Sequence, residues 1–210
     1  MDCGARDRLL VDFDGTMERD AVKKAIEEYL PVPLKGRALT VATNITFAVY
    51  DILDIGKQRV MDKTVPGMSL ELNGPVLDVM YDCVERGIEV TVLTKNKKAD
   101  HICTALKGRG ICFKVEQTDD KAAYVREQQA LNPGAKVFLL DDSIRDALQF
   151  MSRRVDGYVL YVNGHNGIAA KFLKPFVRTA TDNTLKDMIR DSGIGQRGSP
   201  FAARVERLTA

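Results

Sequence analysis

Four clusters of polar residues have the types and spacing to do chemistry. The first is LLVDFDGT, where Asp12 and Asp14 close an apolar run and are followed by Gly15 and Thr16. A turn at Gly15 lets the two carboxylates converge where the chain leaves a strand. The second is EVTVLTKN, which sets the Thr94 hydroxyl, a donor for a phosphate oxygen, at the end of another apolar run. The third is Lys121 in QTDDKAAYVREQQ. A cation in the first turn of a helix opposes the helix dipole, so Lys121 is either offset by Asp119 and Asp120 or projects to an anion. The fourth is VFLLDDSIRD, which delivers Asp141 and Asp142 from an apolar run. Asp146 follows Asp142 by four residues, on the same face of an opening helical turn. Hard oxygen donors gathered this way, with no fixed basic partner, suit Mg²⁺.

Each cluster also has a plain structural reading. Asp-rich turns satisfy their own backbone. Thr is common at strand ends, a lone Lys is usually solvated, and one acid of DDSIRD can cap the helix that follows. Order and setting join the four. Three of them stand at the carboxyl ends of buried strands, where open parallel sheets bind their ligands.

The elements that must position these residues alternate. Strands are expected over 8–13, 88–93, 112–115, 136–140 and 157–162, several with unbroken apolar runs that suit strands covered on both faces. Between them, one helix opens at Asn73, Gly74 and Pro75 and stops at Gly87, and a second covers about 98–107. A third runs from Asp119 or Asp120 to the turn at Asn132, Pro133 and Gly134, and a fourth covers 144–153. The pattern predicts an α/β fold with a parallel, Rossmann-like sheet. Residues 17–70 break it, with helical patterns over 21–30 and 43–53, separated by Pro31 and Pro33, and no clear strand. The expected organisation is a core of residues 1–16 and 71–190, a small helical cap over 17–70 inserted after the first strand, and a loose tail over 191–210.

Composition narrows the function classes. The 210 residues are 45% hydrophobic and 29% charged, with a net charge of +2, which excludes wholesale disorder. That balance lacks the domain-wide basic footprint of a nucleic-acid binder, so no nucleic-acid partner is expected. No run approaches the ~20 apolar residues of a membrane span. Cys3, Cys83, Cys103 and Cys112 contain no CxxC pair and read as reduced thiols, which makes a cytoplasmic location the expectation. Asp51 and Asp54 read as solvated, and His101 reads as a helix-surface residue. His165, in VNGHNG, reads as a turn residue after the last expected strand, a turn from which Asn163 or His165 has a route to the rim of the site.

Taken together, strand–DxDGT, strand–Thr, helix-start Lys and strand–DDxxxD, in that order, resemble the haloacid dehalogenase-like superfamily of phosphohydrolases. The resemblance spans roughly residues 8–165 and includes an insertion where that family carries its helical cap. It is nearest to the phosphoserine-phosphatase-like branch, in which an acidic residue follows the DxDGT turn as Asp20 does here. It implies that Asp12 is the nucleophile that forms an aspartyl phosphate, and that Asp14 is the general acid and base. It implies Mg²⁺ held by Asp12, Asp142 and the main-chain carbonyl of Asp14, with Asp146 in its outer shell. Thr94 and Lys121 would bind the phosphate.

The sequence departs from the family pattern in three places. Asp141 stands where the last motif usually has Gly, and Lys95 and Asn96 replace a Gly pair after Thr94. No Phe-Glu-Glu…Arg segment is found in the cap, so phosphoserine is not implied as the substrate. The expected function is Mg²⁺-dependent hydrolysis of a small phosphate monoester. The alternative is a catalytically weak or inactive module of the same fold that works through a protein partner, with the mildly basic tail (Arg190, Arg197, Arg204, Arg207) as its thin support. Asp14 argues against a dehalogenase, because halide departure needs no general acid.

Overall fold

A computed structural model describes residues 6–18, 71–163 and 166–195. Six strands form one parallel sheet: β1 (Arg8–Asp12), β2 (Glu89–Thr94), β3 (Lys114–Gln117), β4 (Val137–Asp141), β5 (Tyr158–Tyr161) and β6 (Arg178–Ala180). The spatial order is β3-β2-β1-β4-β5-β6, every neighbouring pair parallel. The chain steps outward from β1 through β2 to β3, then returns to the other side of β1 for β4. The order therefore reverses between β1 and β4, and the crevice at their carboxyl ends is where such sheets place a ligand.

The described helices are α1 (Gly74–Glu85), α2 (Ala99–Lys107), α3 (Lys121–Leu131), α4 (Ile144–Arg153), α5 (Gly167–Leu173) and α6 (Leu185–Asp191). They cover both faces of the sheet, which explains the unbroken apolar runs of its strands. On one face Leu9, Val11, Val90, Val92, Phe138, Leu140, Val159 and Tyr161 pack with Val79, Met80 and Cys83 of α1, Ile102 and Leu106 of α2, and Leu185 and Ile189 of α6. On the other, Leu10, Leu93, Leu139 and Leu160 pack with Val125 of α3, Ile144 and Phe150 of α4, and Ala170 of α5. Successive strand residues point to opposite faces, so each run needs apolar residues at every position. Burying each such Leu contributes about 1.5–3 kcal/mol relative to exposure. Among the described residues no helix is long and apolar enough to cross a membrane.

The helix at 144–153 has its expected bounds, and the reason is local. Ser143 caps it by accepting from the Asp146 N–H at 3.2 Å, and Arg154 ends it in the left-handed region at φ 51°. The strand expected over 112–115 is instead Lys114–Gln117, two residues later. It is an edge strand, only partly covered, so its Lys, Glu and Gln hide it from a search for apolar runs. Residues 191–195, the start of the expected tail, are held to the core. Ile194 is buried, Lys136 Nζ donates to the carbonyls of Ser192 (3.0 Å) and Gly193 (2.9 Å), and the Gly195 N–H donates to Asp7 Oδ2 at 2.7 Å. The other Asp7 oxygen accepts from the Lys136 N–H at 2.8 Å. The cap expected over 17–70 lies outside the described residues except for Met17 and Glu18, as do Asp20, Asp51, Asp54, Cys3, His165 and residues 196–210.

Candidate active site

Asp12 is the last residue of β1, and the chain turns directly after it. The Met17 N–H returns to the Asp12 carbonyl at 3.2 Å, the Glu18 N–H to that of Phe13 at 2.9 Å, and the Gly15 N–H to that of Glu18 at 3.0 Å. Gly15 holds φ +89°, and a Cβ there would lie 2.3 Å from Asp142 Oδ2. Glycine is thus required twice over: by the left-handed backbone and by the carboxylate that packs against it. Asn73, expected to open α1, gives its helix no side-chain cap. Its Nδ2 donates instead to the Thr16 carbonyl (3.1 Å) and the Tyr161 hydroxyl (2.6 Å), which ties the turn to β5.

Lys121 enters from the first turn of α3, whose N-cap is Asp120. Its ammonium donates to Asp12 Oδ1 and, at 2.8 Å, to Asp141 Oδ2, bridging the two strands at which the order reverses. Asp146 Oδ2 lies 3.6 Å from the same nitrogen. Burial pushes the Asp12 and Asp141 carboxyls up to about 7 against the pull of Lys121, and neighbouring acids add to the rise. Burial also works against a charged Lys121, yet Asp12, Asp141 and Asp146 together hold it protonated, well above the usual lysine range. The dipole opposition noted at this helix start is therefore answered by acids of β1, β4 and α4.

The remaining expected residues take separate places around this pair. The Thr94 hydroxyl, at the end of β2, donates to Asp14 Oδ2 at 3.0 Å and accepts from the Asn96 N–H at 2.9 Å. Asp142 accepts from Asn163 Nδ2 at 2.9 Å and, weakly, from the Thr16 hydroxyl at 3.4 Å. Asp146 pairs with Lys95. Asp12, Asp14, Thr94, Lys121, Asp142 and Asp146 are all buried at one end of the sheet.

Asp12, Asp141 and Asp142 each place a carboxylate oxygen within 4.8 Å of the others. Three buried oxygen donors, two of them with carboxyls raised chiefly by burial, fit a divalent cation of the hard, oxygen-loving kind. Asp14 and Asp146, expected among the metal ligands, lie outside this trio, Asp146 being engaged by the two lysines. Asp141 stands inside it. In the sequence Asp141 is both one of the acids of VFLLDDSIRD and a departure from the family's glycine; its place as the last residue of a buried strand is the signal that marks it. Lys95 was noted only as a departure, and Asn163 only as a residue near the rim.

The open parallel sheet that reverses between β1 and β4 has the fold of solved haloacid dehalogenase-like hydrolases. No family model matches the sequence, and neither does any curated protein. Solved structures match in fold. A candidate phosphoglycolate phosphatase from Lactobacillus delbrueckii is 14% identical, with TM-score 0.55 over 89% of this chain and 98% of its own. A HAD family hydrolase from Deinococcus radiodurans, solved with bound phosphate and sodium, is 14% identical, with TM-score 0.52 over 91% and 98%. A HAD-superfamily hydrolase from Ehrlichia chaffeensis is 11% identical, with TM-score 0.51 over 90% and 98%. At these identities the likeness is one of fold.

Proposed function

We propose that this protein hydrolyses phosphate monoesters of small molecules, with Asp12 as nucleophile and a divalent cation, Mg²⁺, as cofactor. The observation that carries the reading is the bridge of Lys121 to Asp12 and Asp141, set beside Asp14 and Thr94 at the carboxyl end of the sheet. A non-catalytic module has no use for so many buried acids around one lysine, since buried charge costs several kcal/mol per ion unless well paired.

Asp12, Asp141 and Asp142, with the main-chain carbonyl of Asp14, would hold the cation. When bound it neutralises charge on the phosphate and so lets an anionic nucleophile approach. Asp12 attacks phosphorus, forming the acyl–phosphate bond as the ester P–O bond breaks. Asp14 gives its proton to the departing alkoxide. Water then attacks the aspartyl phosphate, Asp14 takes a proton from it, and inorganic phosphate leaves with Asp12 restored. Lys121 balances the charge of Asp12 and of the incoming phosphoryl oxygens. The Thr94 hydroxyl, which now faces Asp14, is the donor for one of those oxygens. Substrate choice falls in this reading to residues 17–70.

The test is phosphate release from a panel of p-nitrophenyl phosphate, sugar phosphates, nucleotides and phosphocarboxylates in excess Mg²⁺, with Asp12→Asn as the control. Turnover by the wild type and none by a folded Asp12→Asn supports the reading. A folded wild type that releases phosphate from none of these esters overturns it.

A further inference from the structure

We infer that Asn163 is the positioning residue for Asp142, fixing the carboxylate that would take the divalent cation; the inference rests on the function proposed above. Asn163 lies two residues past the end of β5. Its side-chain amide is used at every atom. Nδ2 donates to Asp142 Oδ2 at 2.9 Å and to the Gly15 carbonyl at 3.2 Å, while Oδ1 accepts from the Asn166 N–H at 3.2 Å. Two acceptors on one side and a donor on the other settle which way the amide faces.

Asn166 completes the device. Its Oδ1 accepts from the Asn163 N–H at 3.1 Å, so the two asparagines hold each other's backbone. Its Nδ2 donates to the main-chain carbonyls of Asp142 and Tyr161, both at 2.8 Å. Asp142 is therefore held twice from beyond β5, by its side chain through Asn163 and by its backbone through Asn166. The same Asn163 nitrogen also grips the turn that follows Asp14. One amide thus links the β1 turn to the β4 turn, beside the strand ends that carry Asp12 and Asp141. Hydrogen bonds behind a ligand fix its orientation, and losing one typically weakens metal binding about 10–100-fold.

An aspartate at 163 would set a carboxylate oxygen against Asp142 Oδ2 and the Gly15 carbonyl, turning attraction into repulsion. Asn163→Ala removes the donor, and Asn163→Ser keeps a small polar side chain too short to reach. The test is calorimetric titration of the intact wild type and the Asn163→Ala, Asn163→Ser and Asn163→Asp proteins with Mg²⁺, together with thermal melts in EDTA and in saturating Mg²⁺. The expected result is a Kd weakened about 10-fold or more in Ala and Ser and further in Asp. Turnover of p-nitrophenyl phosphate by Ala should climb toward the wild-type rate as Mg²⁺ is raised. A purely structural role would lower the melting temperature in EDTA and leave Kd alone. If folded Ala and Ser variants bind Mg²⁺ within about threefold of the wild type, the positioning role is refuted while the metal reading stands. If the wild type binds no Mg²⁺, the reading beneath the inference falls and takes it along.

Discussion

The Thr94 hydroxyl donates to Asp14 Oδ2 over 3.0 Å, joining the end of β2 to the turn after β1. The bond holds the buried Asp14 carboxylate against the end of β2. Thr94 is itself set by the Asn96 N–H, so a chain of two hydrogen bonds leads from the β2 loop to the proposed acid.

Asp14→Asn keeps the acceptor for Thr94 and removes the transferable proton. The expected loss is on the order of 10²–10⁴-fold for an alkyl phosphate and small for p-nitrophenyl phosphate, whose leaving group departs as a stable anion. Steady-state rates on both esters check this, and rapid quench with ³²P-labelled substrate should trap more phosphoenzyme in the variant. Wild-type rates on alkyl phosphates would remove Asp14 from its role.

Stripping divalent cations should abolish turnover, Mg²⁺ should restore it, and Ca²⁺ should not. The trio of Asp12, Asp141 and Asp142 is compact, whereas Ca²⁺ takes 6–8 ligands at longer distance and would draw Asp12 out of line. The check is an EDTA titration with metal content verified, followed by add-back. Full turnover in excess EDTA is the contrary result.

The metal-free protein should lose stability as pH rises through neutrality. Burial lifts the Asp12 and Asp141 carboxyls from 3.8 to about 7, so the folded state keeps protons that the unfolded chain has released. That stabilisation is complete below the unfolded value and disappears as the pH passes about 7. Urea unfolding in EDTA of the wild type and Asp141→Asn isolates the effect. From about pH 5 to about pH 8 the wild type should lose ground to the variant; an advantage that grows with pH would contradict the assignment.

Thiol labelling should separate two cysteines. Burial raises the Cys83 thiol to about 11, with Arg86 pulling the other way, while Cys112 is exposed. At pH 8 only about one Cys83 in a thousand is thiolate. Iodoacetamide followed by peptide mass spectrometry should therefore modify Cys112 in the native protein and Cys83 only after denaturation. Native labelling of both at equal rates would show that the α1 face of the core opens readily.

Most of the sheet was legible because its middle strands are covered on both faces. Leu9 and Leu10, or Leu139 and Leu140, must all be apolar, and the run announces itself. The edges were not. β3 is Lys-Val-Glu-Gln, half exposed, and β6 spans only three residues. In the site, the acids at strand ends could be read because strand and turn lie adjacent in the chain. Asp141 is one of the acids of VFLLDDSIRD and a departure from the family's glycine, and only the fold shows it facing Lys121 from the strand next to β1. Asn163 stands 21 positions from Asp142, and nothing in the local pattern VNGHNG records that contact.

Asp7 gives the chain a schedule. Its buried carboxylate is shared between the Lys136 and Gly195 amides, the second of them 188 positions away. During synthesis the first strand leaves the ribosome early, yet one neighbour, β4, emerges only with Val137, and the last partner of Asp7 only with Gly195. β4 fills the flank of β1 once residues 137–141 are made, but until Gly195 follows one Asp7 oxygen is left to water. The turn at Gly195 therefore fastens the start of β1 only after all six described strands have been made.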